Sequence, residues 1–255
     1  MDRRAFLKRL CAGAVAAGGA LACGLGTASA GGLGAEAPKG RRLAMVVDLP
    51  ACARMRGCRA CMGACHVAHN VPSIAERGHE VKWIWKQRFD ETFPEQLHEG
   101  VSPDRRASPV PVLCNHCENP PCVRVCPTGA TWRRADGIVM MDEHRCIGCR
   151  YCMAACPYGA RSFNWQDPRL ALSRIEPGYA TRTVGVVEKC TFCAERLPRG
   201  LAPLCVEACA RIGANALSFG DLDEAGSPLV RLLGSRQALR RRPGLSTSPH
   251  VFYLV

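Results

Sequence analysis

The sequence predicts an α+β fold of two units, a compact inner one inserted into an outer one assembled from both flanks. Three observations predict it. With the first thirty residues set aside, the remaining sixteen cysteines fall into four groups of four. The two middle groups are tightly spaced and the two flanking groups are stretched. Short apolar stretches of strand character lead into the groups, and a last one, HVFYLV at 250–255, reads as a closing strand. A length of 255 residues suits one large or two small domains. Hydrophobic content of 47% permits a packed core, aromatics are sparse at 6%, and the unusual number is 18 cysteines.

Residues 1–30 read as an export signal rather than as part of the fold. MDRRAFLKRL carries Arg3 and Arg4 followed by Phe6, Leu7 and Lys8. A weakly apolar stretch, CAGAVAAGGALACGLG, leads to Ala28-Ser29-Ala30, a cleavage site of A-x-A form. These parts in this order resemble a twin-arginine signal, which implies a periplasmic mature chain. ALAC around Cys23 is a poor lipoprotein box, because Ala20 stands where a larger aliphatic residue is usual. Removing the segment takes away Cys11, Cys23, four basic residues and one acidic one, so a formal charge of +12 becomes +9. No other stretch has about 18 consecutive apolar residues, so the mature chain is not expected to span a membrane.

Residues 31–109 form the first part of the outer unit. RRLAMVVDL (41–49) reads as a strand running into Cys52, Cys58, Cys61 and Cys65. A helix is expected after the third cysteine, as in MGACHVAH, with His66 and His69 at helical i, i+3 spacing. These histidines suit polar positions near a metal centre better than contacts with a partner's cofactor. VKWIWKQRF (81–89) alternates Val81, Trp83, Trp85 and Gln87 on one face of a strand, where the tryptophans suit packing.

Residues 110–160 form the inner unit. Cys146, Cys149, Cys152 and Cys156 stand in CIGCRYCMAACP, the ferredoxin run C-x2-C-x2-C-x3-C-P without alteration. Three thiolates two residues apart line a tight loop and reach three corners of one [4Fe–4S] cubane. Gly148 permits close backbone approach to the inorganic sulfurs. The fourth cysteine lies about one helical turn on and faces a neighbouring cluster. Cys114, Cys117, Cys122 and Cys126 repeat this form with a wider x4 loop and the same Cys-Pro ending. Between the two runs, TWRRADGIVMMDEHRC (131–146) reads as a hairpin with Asp136-Gly137 at its turn.

Residues 161–255 complete the outer unit. TVGVVEKC (183–190) reads as a strand leading to Cys190, Cys193, Cys205 and Cys209. Like the first run, this one is stretched but keeps its final x3 gap. RLLGSRQALRRRPG (231–244) concentrates arginine and reads as a solvated face, or second as a docking surface for a membrane-bound partner.

Each run is therefore expected to lend its last cysteine to the other member of its pair. The expected sets are Cys52, Cys58, Cys61 with Cys209; Cys65 with Cys190, Cys193, Cys205; Cys114, Cys117, Cys122 with Cys156; and Cys126 with Cys146, Cys149, Cys152. Two ferredoxin-like units then hold four [4Fe–4S] clusters. A disulfide framework is the usual reading of an exported chain with an even cysteine count, but such frameworks rarely repeat x2 gaps or follow cysteine with proline. A zinc-structured binding module is the rival of a different class, although zinc normally takes two CxxC pairs per site. Four clusters with their thiolates add a charge of about −8, which offsets the basic apoprotein and removes the main support for a nucleic-acid partner. No nucleophile–base arrangement, phosphate loop or paired carboxylates stand out, so a non-catalytic electron carrier is expected.

The four-run order and the ending PHVFYLV resemble the iron–sulfur subunits of the dimethyl-sulfoxide-reductase and polysulfide-reductase type, over nearly all of residues 41–255. CHVAHNVP after the stretched first run, followed by EVKWIWK, is similar to the narrower DsrO type, the periplasmic ferredoxin subunit of Dsr membrane complexes. That resemblance implies an NrfD-type integral membrane subunit and a periplasmic multihaem cytochrome as partners, with the clusters relaying electrons to and from quinone. The same-class alternative is the electron-transfer subunit of a molybdopterin oxidoreductase. Ala210 after Cys209, where the inner runs have proline, departs from the pattern.

Overall fold

A four-stranded sheet joins the two ends of the outer region. In this computed structural model, which describes residues 40–255, Leu43–Asp48 lies centrally in that sheet. It pairs antiparallel with Leu217–Asp221 and parallel with Val251–Leu254, and Ala238–Leu239 adds the edge. The run LAMVVD has no polar face until Asp48 because both sides of the strand are covered. Ala44 and Val46 pack with Leu229, Phe252 and Leu254 on one side, while Leu43, Met45 and Val47 enter the main core on the other. The covering helix, Pro228–Ser235, starts at Ser227, whose hydroxyl accepts from the Val230 amide at 3.3 Å. The signal reading of residues 1–30 lies outside the described residues.

Cys52 of the first run lies on a short helix, Leu49–Arg54, and the later cysteines of the first and fourth runs lie on Ala60–Ala68 and Leu204–Arg211, which pack against each other. The inner runs carry the shorter helices Pro121–Arg124 and Tyr151–Ala155, also in mutual contact. The four helices that carry a third cysteine begin one residue before it rather than after it. That thiol therefore sits in the first turn, and Pro121 and Pro203 supply the φ that starts two of the turns.

The hairpin forms as Thr131–Arg133 against Val139–Met141. Gly137, at φ +85°, donates to the Arg134 carbonyl at 3.1 Å and closes the turn. Two expected strands are shorter than their sequence suggests. Only Val187–Glu188 pairs, with Ser162–Phe163, because Gly185 turns at φ +87° and donates to Asn164 instead of extending the ladder. Ile84–Arg88 pairs with Pro109–Leu113, so Val81 and Trp83 precede the strand rather than sharing its face. Side chains tether that lead-in: the Lys82 amide donates to Ser162 Oγ at 2.8 Å, and Trp83 Nε1 donates to Glu188 at 2.7 Å.

The arginine-rich segment is not simply a solvated face. Arg241 is only 2% exposed and lies against the Tyr158 ring, Arg240 lies over Phe252, and Arg236 pairs with Asp48. Their guanidinium planes cover aromatic surface and answer a carboxylate, uses that composition does not reveal.

Candidate metal centres

The sixteen cysteines of residues 40–255 are all free thiols. Cys52, Cys58, Cys61 and Cys209 line one hollow with Met55, Pro111 and Leu217. Cys114, Cys117, Cys122 and Cys156 line a second with Pro120, Val139 and Tyr158. Cys126, Cys146, Cys149 and Cys152 line a third with Met141, Ile147 and Val187. Cys65 is buried among Cys190, Cys205 and Cys193, and burial followed by those three thiols pushes its own thiol well above the ordinary range. Two helices place Cys65 and Cys209: each lies four residues past a cysteine of its own run, one turn along, and meets the thiols of the other run.

The loops between cysteines depend on left-handed backbone. His116, Arg150, Phe192 and Cys193 all have positive φ, as does Gly148 at +70°. At Gly148 the close neighbour is a carbonyl: a Cβ there would stand 2.5 Å from the Gly185 oxygen. Backbone amides aim at several sulfurs. Phe192 N lies 3.4 Å from Cys190 Sγ, Leu204 N 3.4 Å from Cys193 Sγ, and Ala216 N 3.2 Å from Cys209 Sγ.

Burial beside other thiols opposes ionisation at the deeper positions of these hollows. Burial and then Cys52, Cys209 and Cys58 push the Cys61 thiol up to about 11. Burial, then Cys114 and the other thiols of its hollow, raises Cys117 strongly. Such a donor set suits a positively charged metal core that binds thiolate. A single zinc ion is too small for it. Zinc–sulfur bonds of about 2.3 Å hold ligands within about 4.6 Å of one another. Among the described residues, the only three or more potential ligand atoms within 4.8 Å of one another are those of His69, Cys193 and Glu195. The wider thiol sets fit a multi-iron core with one thiolate per corner.

The hollows adjoin in sequence. Cys61 and Cys65 share one helix and one apolar cluster with Cys190, Cys205 and Cys209. Burial and then Cys114 of the next set raise the Cys190 thiol, and Cys122 packs with Cys152. The set around Cys65 is wholly buried, whereas Cys149 is exposed at one end, beside exposed Ile147 and Tyr151, and Cys52 and Cys58 are half-buried at the other.

His69 is buried on Trp83, with Nδ1 2.8 Å from the Cys65 carbonyl and Nε2 3.1 Å from Glu195. His66 Nε2 donates to the Ile84 carbonyl at 3.1 Å. Both histidines are thus occupied within the chain. Sequence reasoning missed three further groups beside the thiols. Arg161 is buried against Cys122, and Lys189 is buried and donates to the Cys190 carbonyl at 2.8 Å. The third is a ring stack, His116 on Phe192 at 3.7 Å, which joins the CNHC loop to the CTFC loop. The x2 gaps could have marked the stacked pair, since each ring is the residue before a second cysteine; nothing local distinguishes the two cations from surface residues.

A 4Fe-4S dicluster domain matches residues 107–222. Over 99% of its length the chain is 42% identical to the Hdr-like menaquinol oxidoreductase iron-sulfur subunit 1 of Archaeoglobus fulgidus, covering 97% of that protein. It is 39% identical to the electron transfer subunit of thiosulfate reductase from Salmonella typhi, over 76% of this chain and 83% of that one. It is 35% identical to the iron-sulfur cluster-binding subunit of menaquinone reductase from Nitratidesulfovibrio vulgaris, over 82% and 87%. With thiol hollows suited to iron–sulfur cores and likeness along almost its whole length, the chain belongs to the iron–sulfur electron-transfer subunits of oxidoreductase complexes.

Proposed function

We propose that this chain is the relay subunit of a quinol-linked respiratory complex of the Dsr type. It holds four [4Fe–4S] clusters in a row and carries out no substrate chemistry. The observation that carries this reading is the grouping of sixteen free thiols into four sets of four, three of them lining hollows and the fourth, around Cys65, wholly buried. The ligands are Cys52, Cys58, Cys61 and Cys209; Cys65, Cys190, Cys193 and Cys205; Cys114, Cys117, Cys122 and Cys156; and Cys126, Cys146, Cys149 and Cys152. When bound, the clusters supply one-electron acceptance and release. The protein's own part is to hold the thiolates, direct backbone N–H groups at sulfur and keep water from the central set.

Relatives named for menaquinol and menaquinone support the quinol link. Among the described residues no helix is long and apolar enough to cross a membrane. The partners in this reading are an NrfD-type membrane subunit and a periplasmic multihaem cytochrome beside it. The likeness to a thiosulfate reductase electron transfer subunit favours a second reading, service to a molybdopterin enzyme. Anaerobic purification from membranes tests both. The expected product is brown, with about sixteen iron and sixteen sulfide per chain. It should co-purify with a quinol-reactive membrane subunit and become reduced by a menaquinol analogue. Stoichiometric zinc would refute the relay, and a molybdopterin partner would select the second reading.

The proposal extends to export of the folded, cluster-loaded chain through Arg3-Arg4. Arg3→Lys with Arg4→Lys should strand the precursor in the cytoplasm, as read by fractionation. Normal periplasmic accumulation of the double variant contradicts this.

A further inference from the structure

Arg161 lies five residues beyond Cys156, on the segment that leads from the third run to Ser162–Phe163. It is 4% exposed. Burying a guanidinium is unfavourable unless an opposite charge answers it. Its hydrogen-bonding partners are Cys122 Sγ at 3.1 Å, Thr131 Oγ1 at 2.7 Å and Met141 Sδ at 3.6 Å, with no carboxylate among them. Thr131 in turn donates to the Met140 carbonyl at 2.6 Å, which orients its lone pairs toward the guanidinium. Burial works against the charge, and Cys122, Cys152 and Cys114 more than offset it. Arg161 itself lines the hollow of Cys122, its partner Met141 lines the hollow of Cys152, and Cys122 and Cys152 pack in one apolar cluster with Met141.

Cys122 and Cys152 belong to different hollows. We infer that Arg161 is the counter-cation shared by the two inner clusters, a positioning residue that raises the reduction potentials of both. The inference rests on the ligand sets proposed above. A cation at the junction stabilises the extra negative charge of either reduced cluster, and the hydrogen bond to Cys122 withdraws charge from that thiolate. Because guanidinium does not deprotonate in proteins, the effect persists across the physiological pH range.

Potentiometric EPR titration of the holoprotein tests this with Arg161→Gln and Arg161→Lys. Arg161→Gln should favour the oxidised form of both inner clusters by tenfold or more at fixed potential, a downward shift of about 59 mV or more for a one-electron couple. Arg161→Lys keeps the charge and should stay near wild type, and the two outer clusters should not move in either variant. Full iron in Arg161→Gln with unchanged potentials, or with only one inner cluster shifted, overturns the inference. If Arg161→Gln does not load its inner sites, loading of Arg161→Lys at native potentials still supports a charge requirement. Loss of the inner clusters from both variants assigns Arg161 to packing and overturns it. Wild-type iron content and the spectrum of Cys122→Ser test the ligand sets separately.

Discussion

Replacing Glu188 by alanine is expected to cost about 3–5 kcal/mol, the penalty for leaving a buried charge without its partner. Arg182 and Glu188 form an ion pair at 2.5 Å with side chains 3% and 0% exposed. Glu188 also accepts from Trp83 Nε1 and from Asn164 Nδ2, each at 2.7 Å. Arg182 donates to the carbonyls of His69 and Asn70, where the chain leaves the helix that carries Cys61 and Cys65. The pair therefore ties the first run's helix to the short strand just ahead of Cys190. Removal of the carboxylate strands the guanidinium in a site closed to water. At about 2–4 °C per kcal/mol for a chain of this size, the apparent melting temperature should fall by roughly 6–20 °C. Cluster loss makes unfolding irreversible, so wild type and variant need comparison at one scan rate. Arg182→Met with Glu188→Leu, which removes both charges and keeps volume, should recover much of the loss. A double variant as unstable as Glu188→Ala alone would show that packing, not the buried charge, dominates.

Much of the candidate site was legible because metal-ligand spacing is a local property of sequence. The x2 gaps and the Cys-Pro endings announce thiol loops wherever the chain later goes. Strand character in LAMVVD and VFYL and the turn at Asp136-Gly137 were legible for the same reason: periodicity and turn chemistry act over a few residues. Long-range substitution of one hydrogen-bond partner for another was not. Val81 and Trp83 alternate like strand residues, but Ser162 and Glu188 take the donors of that lead-in. Arg161 and Arg241 look like surface residues, since arginine rarely stays buried without a partner. Their partners are sulfurs, an aromatic face and backbone drawn from distant runs. Gly148 was legible as a position requiring glycine, while its neighbour, the Gly185 carbonyl, lies 37 residues away in sequence.

Cys65→Ser is expected to alter the EPR signal that Cys205→Ser alters, and to leave the signal of Cys58→Ser and Cys61→Ser intact. The reason is the facing of two helices. Cys61 and Cys65 are one turn apart on Ala60–Ala68, and Cys205 and Cys209 are one turn apart on Leu204–Arg211. The helices pack together, so the later cysteine of each reaches past its own loop. Cys61 lies among Cys52, Cys209 and Cys58, while Cys65 lies among Cys190, Cys205 and Cys193. Cys209→Ser should accordingly reproduce the spectrum of Cys61→Ser. The wide Cys52–Cys58 gap enlarges only the outer edge of its loop: Cys58 is half-buried, and Cys61 and Cys65 are buried in register on the helix. Serine or water oxygen can occupy a vacated corner, so line shape and potential are more sensitive readouts than iron content. Retained iron with a shifted g-tensor in the cluster of the fourth run is the expected result for Cys65→Ser. If Cys65→Ser instead changes the signal shared by Cys58→Ser and Cys61→Ser, the first run holds its own cluster. The exchange of thiols between the two helices would then be wrong, and with it the order in which the hollows follow one another.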